Sequence, residues 1–136
     1  MGLNDHRVEA ALAVSDLQQA RRFYEDQLGL VPGEQEEQGV RYPCAQGSGI
    51  FVYLSAENAG RSPATAAGWF VDDLDATMDE LASRGVAFER YDQPGIKTDD
   101  RGVFDAGGFR AACVKDPDGN TLAISQVSGC HRVAAL

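Results

Sequence analysis

Two stretches of this chain carry the same succession of local signals at an offset of 57 positions. Val14, Asp16 and Leu17 fall on Val71, Asp73 and Leu74, and Gly29 recurs one position early, as Gly85. A repeated unit restricts the fold more than any single segment does, because each copy must bury the same apolar face against an equivalent layer. In the first copy, apolar residues at Val8, Ala10, Leu12 and Val14 have the period of a half-buried strand. Asp16 then stands at a helix N-cap. Leu17, Ala20, Tyr24 and Leu28 form one stripe at helical spacing with Phe23 beside it, and Gly29 occupies the C-cap. In the second copy Ala66 to Val71 repeats the strand, Asp73 the cap, Leu74, Met78, Leu81 and Ala82 the stripe, and Gly85 the stop.

Further strands complete each copy. Val40-Arg41-Tyr42 and Ile50 to Leu54 read as strands separated by a turn-rich stretch, and the polar residues 34 to 38 read as a loop or an edge strand. The second copy offers Val86 to Glu89, Gly108 to Val114 and Thr121 to Gln126. A long Gly- and Asp-rich loop from Tyr91 to Gly107 is expected between the first two, and a loop of that length is more often functional than decorative. Both halves therefore read β-α-β-β-β. One domain is expected over residues 1–136: module one at about 8–56, a linker at 57–64, module two at about 65–127 and a tail at 128–136.

Composition removes several classes of function. Twelve Lys and Arg stand against 21 Asp and Glu, for a net charge of −9, and the basic residues are scattered singly apart from Arg21-Arg22, so a nucleic-acid partner is not expected. The apolar run from Val8 to Val14 contains Glu9 and is too short for a signal peptide or a membrane span. The three cysteines, Cys44, Cys113 and Cys130, are odd in number and form no C-x-x-C, which predicts reduced thiols and a cytoplasmic protein.

Tandem β-α-β-β-β modules, an Asp-Leu helix start leading to Phe23-Tyr24 and Leu28-Gly29-Leu30, and a final Asp116-Pro117-Asp118-Gly119-Asn120 turn occur here in order. The combination resembles the vicinal oxygen chelate superfamily, which includes glyoxalase I, extradiol dioxygenases, fosfomycin-resistance enzymes and bleomycin-resistance proteins. The likeness spans about residues 8 to 127. It implies an α+β fold of two tandem βαβββ modules, curled into an incomplete barrel around a cleft with the helices outside, and a homodimer. The Asp-Pro-Asp-Gly-Asn turn also reads physically, with Pro fixing φ and Gly or Asn taking the left-handed position, so its expected role is architectural.

Metal-using members of that superfamily carry His, Gln or Glu at four inward positions, which by correspondence are Glu9, Tyr53, Ala66 and Ala123 here. Only Glu9 can ligate a metal in the usual way. His6 and His131 lie at the chain ends, and adjacent Cys130 and His131 make a poor nucleophile-base pair. No metal and no cofactor are expected. Strand alternation groups Glu9, Ala11 and Ala13 with Phe51, Tyr53, Ala66, Gly68, Ala123 and Ser125 on the cleft face, and sends Trp69 to the core with Ala67 and Val71. Phe104 and Phe109 are expected at the cleft rim, on the long loop.

The ligand-binding residues expected are thus Glu9, Phe51, Tyr53, Phe104 and Phe109. A cleft lined by small residues, a few aromatics and one carboxylate suits a flat, partly aromatic molecule carrying a positive or hydrogen-bonding group. The leading expectation is a small-molecule-binding protein of the bleomycin-resistance type, sequestering its ligand without chemistry. Two alternatives stand beside it. One is a lyase or isomerase using a desolvated Glu9 as general base, with Tyr53 as proton donor, or an unrecognised metal site; the other is an interaction protein with a vestigial cleft.

Overall fold

In the computed structural model, which describes residues 2–127, strand β1 (Ala10–Val14) leads into helix α1 (Leu17–Arg21). The edge strand β2 (Gln35–Glu36) follows, then β3 (Gly39–Pro43) and β4 (Gly49–Leu54). The second copy runs through β5 (Thr65–Phe70), α2 (Leu74–Ser83), a small hairpin of β6 (Asp92–Gln93) and β7 (Ile96–Lys97), then β8 (Phe104–Ala106), β9 (Phe109–Lys115) and β10 (Thr121–Val127). Two four-stranded sheets result, in the equivalent orders β1-β4-β3-β2 and β5-β10-β9-β8. In each, the first and last strands of the module pair in parallel and the remaining pairs are antiparallel. The architecture is a mixed α/β incomplete barrel with two modules and no closure.

The helix starts form as their caps dictate. The Asp16 carboxylate accepts the Gln19 N–H at 3.1 Å and the Asp73 carboxylate accepts the Ala76 N–H at 3.0 Å. Gly29 and Gly85 end the helical segments at φ 81° and 88°, where a side chain would be strained. The early recurrence of glycine in the second copy has a structural cause. From Arg22 to Gln27 the first helix continues as a π-helical turn, which absorbs one extra residue, whereas α2 runs on regularly.

Alternation divides each sheet into a buried and an open face. Leu12, Val14, Tyr42 and Val52 pack beneath the first helix, and Leu74, Met78, Val114 and Leu122 beneath and within the second, as parts of one cluster. Trp69 packs against this core together with Ala67 and Val71, on the face expected. On the opposite face, Ala11 pairs with Phe51 and Ala13 with Tyr53, as Gly68 pairs with Ala123 and Phe70 with Ser125. The pairing slips between Thr121 and Leu122, which skips Ala66.

Three local expectations need correction. Val86 to Glu89 is not a strand: its contact with β9 is the Glu89 N–H donating to the Cys113 carbonyl at 2.8 Å, a lone bond rather than a ladder. Tyr91 to Gly107 is not one long loop, since it contains the β6–β7 hairpin, turning through Pro94-Gly95, and β8. Phe104 and Phe109 accordingly stand on strands. Gly107 and Gly108, at φ 58° and 97°, form the two-residue turn that joins β8 to β9, the arrangement in which both central residues need positive φ.

The final turn ties the modules together. Asp116, only 5% exposed, accepts the Tyr24 hydroxyl, the Asn120 side-chain amide and the backbone N–H groups of Asp118 and Asn120. The Asn120 amide also donates to the Ala13 carbonyl, and Asp118 accepts from the backbone and hydroxyl of Ser15. This network is architectural, as the turn's composition implied. Residues 128–136, including Cys130 and His131, lie outside the described residues.

Candidate functional site

The open face of module one is organised around a residue that the sequence places only by alternation. Arg41 lies between the buried Val40 and Tyr42, so its side chain emerges on the cleft face of β3, directly across from Phe51 on β4. Its guanidinium carbon stands over the Phe51 ring, 4.3 Å from the centroid, while Nε donates to Glu9 at 3.2 Å and Nη1 donates to Glu36. Phe51 and Tyr53 follow as parallel rings, 5.8 Å apart and 10° from coplanar orientation. Gly39 is required beneath them, because a Cβ there would come within 2.6 Å of the Phe51 ring.

Glu9 is therefore not an isolated carboxylate in an apolar wall. Its side chain is 25% exposed and is ion-paired to Arg41. The expected cation-receiving role is altered, since the nearest cation is already in place.

Module two contributes a pocket of about 270 Å³ on its open face. Phe104 and Phe109 line it, with Ala111, Cys113, Ala123 and Ser125 along β9 and β10, and Tyr91 and Ile96 closing it from the segment around the small hairpin. Small side chains at Ala111 and Ala123 create the space. Burial pushes the Cys113 thiol up, and Glu89 adds to this while Lys115 opposes it, so at neutral pH the group is a protonated, weakly nucleophilic thiol. Burial likewise raises the Tyr91 phenol, with Cys113 and Glu89 nearby. The pocket is therefore apolar, with neutral donors.

The five residues expected to meet ligand fall into two groups. Glu9, Phe51 and Tyr53 share the module-one wall, Phe104 and Phe109 share the module-two pocket, and that pocket has no lining residue from module one. Sequence reasoning passed over Arg41, Glu36, Tyr91 and Cys113. For Arg41 the signal was present in the alternation of β3, and for Cys113 in the alternation of β9 from Phe109 through Ala111; for Glu36 and Tyr91 it was not, because their placement depends on chain segments that meet only in the folded state.

The four positions at which metal-using relatives hold their ion do not fit one here. Ala66 and Ala123 offer no donor atom, and Glu9 is engaged by Arg41. Among the described residues no group of three or more His, Cys, Asp or Glu could hold a metal ion. His6 is exposed in the N-terminal segment, outside both sheets.

A family model described as the glyoxalase/bleomycin resistance protein/dioxygenase superfamily matches residues 6–124. Among solved structures, the chain is similar to a glyoxalase/bleomycin resistance protein from Catenulispora acidiphila, at 27% identity over 89% of this chain and 97% of the other, with a TM-score of 0.66. It is also similar to a glyoxalase/bleomycin resistance protein/dioxygenase from Alicyclobacillus acidocaldarius, at 17% identity over 96% and 98% of the two chains and a TM-score of 0.67. A third similar structure is TnmS3, an antibiotic binding protein from a Streptomyces species, at 21% identity over 90% and 96%, with a TM-score of 0.65. No curated protein matches the chain.

Proposed function

Because the chain belongs to the glyoxalase/bleomycin resistance protein/dioxygenase superfamily, we propose that it is a metal-independent member that binds a small, partly aromatic molecule and holds it without chemical change. The observation that carries this reading is the module-two pocket: an apolar space between Phe104 and Phe109, opened by Ala111 and Ala123. At about 270 Å³ it lies just below the roughly 300–1,000 Å³ of drug-sized sites. It suits a ring system rather than a whole drug.

Metal independence is supported by the donor set, since alanine replaces a ligand at two of four positions. Sequestration is supported by the antibiotic binding described for TnmS3, which shares the fold. The proposed setting is the cytoplasm, consistent with the free thiols of Cys44 and Cys113, and the proposed state is a homodimer, as the family resemblance implies.

The test combines two measurements on the full chain. Elemental analysis after exposure to Zn, Ni, Mn and Fe salts is expected to show no stoichiometric metal. Titration with 2-naphthol as a two-ring probe is expected to raise the melting temperature saturably with the probe recovered unchanged. Bound metal at one equivalent, or conversion of the probe, would overturn the reading.

A further inference from the structure

The module-two pocket holds a polar group that the fold leaves unused. Ser125 is only 7% exposed, and its hydroxyl makes no hydrogen bond to any described residue. The oxygen is not sealed in dry core, because Ser125 lines the pocket with Ala111 and Ala123. Strand register fixes its surroundings. Phe70 on β5, Ser125 on β10, Ala111 on β9 and Phe104 on β8 are direct cross-strand neighbours and form one row on the open face. Two strand spacings set Ser125 and Phe104 roughly 10 Å apart, with only the Ala111 methyl between them. The other polar groups are placed differently. The Thr98 hydroxyl is spent on the Tyr91 backbone, Thr65 is exposed, Tyr91 is only partly buried, and the Cys113 thiol is a weak donor. Among the described residues that line the space, none carries a charged side chain. An alanine would fill position 125 as it does 111 and 123, and a buried hydroxyl without a partner costs free energy that a ligand oxygen recovers.

We propose that Ser125 is the specificity-determining residue of this pocket, hydrogen-bonding the oxygen of a neutral, hydroxyl- or carbonyl-bearing aromatic ring that lies over Ala111 against Phe104. The inference rests on the binding reading above and names its ligand class. A serine hydroxyl both donates and accepts, so it serves a phenol and a carbonyl alike. A carboxylate or an ammonium group entering here would lose its hydration and find no opposite charge among the lining residues. Recognition by positive charge, the expectation attached to Glu9, has no group in this pocket to supply it.

The test compares 2-naphthol, naphthalene and 2-naphthoate by equilibrium dialysis against the full chain at neutral pH. The native protein is expected to hold 2-naphthol about five- to tenfold more tightly than naphthalene, the worth of one hydrogen bond, and about tenfold or more above 2-naphthoate. Ser125→Ala is expected to bring the naphthol-to-naphthalene ratio close to one while leaving the affinity for naphthalene unchanged. Ser125→Cys, similar in size with a weak donor, is expected to lower the ratio likewise, and Tyr91→Phe to preserve it. Without probe, Ser125→Ala is expected to melt no lower than the native chain, because its hydroxyl has no partner to lose. If 2-naphthol and naphthalene bind the native protein alike, if their ratio survives in the Ser125 variants or is lost in Tyr91→Phe, or if 2-naphthoate matches 2-naphthol, the role of Ser125 is overturned while the pocket reading stands. If none of the probes binds the native protein, the binding reading itself fails and the role of Ser125 falls with it.

Discussion

The hydroxyl of Tyr24 donates to the Asp116 carboxylate at 2.8 Å across 92 residues of sequence, joining the first helical segment of module one to the closing turn of module two. Tyr24 is fully buried and Asp116 is 5% exposed, so water cannot replace either partner. Tyr24→Phe is expected to cost about 1–3 kcal/mol in denaturant unfolding. Asp116→Ala is expected to cost more, because it strands four donor groups at once. Equal, small losses for both would show that the turn does not tie the modules.

Alkaline stability follows from two buried phenols. Burial raises Tyr24, reinforced by Asp116, and burial raises Tyr42, reinforced by its hydrogen bond to Glu25, both above the ordinary 10.0. The folded state keeps these protons while the unfolded chain releases them above pH 10. The stabilisation is therefore complete below pH 10 and declines as pH rises beyond it, by about 1.4 kcal/mol per pH unit per tyrosine. Unfolding midpoints between pH 8 and 11 should show this slope, and Tyr42→Phe should reduce it. A midpoint that stays flat to pH 11 would contradict the burial argument.

Gly60 has no room for a side chain. Its φ is 64°, and a Cβ there would stand 1.8 Å from the Asp118 carbonyl oxygen in the closing turn. Gly60→Ala is expected to cost about 2–3 kcal/mol, combining strain with overpacking. Gly95→Ala, at φ 88° in open space, is the control and is expected to cost only about 1 kcal/mol. Thermal melts of the two variants compare them directly.

Filling the pocket should separate binding from folding. Ala123 lines the pocket and is only partly buried, so Ala123→Phe places a ring into the space the ligand would occupy. The expected outcome is an unliganded melting temperature within a few degrees of the native one, with the 2-naphthol-induced rise abolished. An undiminished rise would locate binding elsewhere on the chain.

Much of the fold was legible because its signals are local. The aspartate caps, the glycine stops and the apolar alternation each act within a few residues, and the duplication made each reading checkable against its copy. Where reading failed, the cause was also physical. Val86 to Glu89 has strand composition, but it meets β9 through only one backbone bond. Gly107-Gly108 is a hairpin signal that the reading splits between the end of an expected loop and the start of a strand, because the flanking strand, β8, is only three residues long. Phe104, expected on the loop, stands on β8, and Phe109 opens β9.

The sequence by itself determined the duplicated strand–helix start of the two units, the faces of their central strands and the alanines at Ala66 and Ala123, since caps, periods and residue identities are properties of neighbours along the chain. Only the tertiary structure decided that Glu9 serves Arg41, that a π-helical turn absorbs the residue by which the copies differ, and that the expected ligand contacts divide between a wall and a pocket. Ion pairs and cavities arise between segments tens of residues apart, as with Arg41 and Glu9 at a separation of 32. Their geometry is set by strand register and packing, which no local pattern encodes.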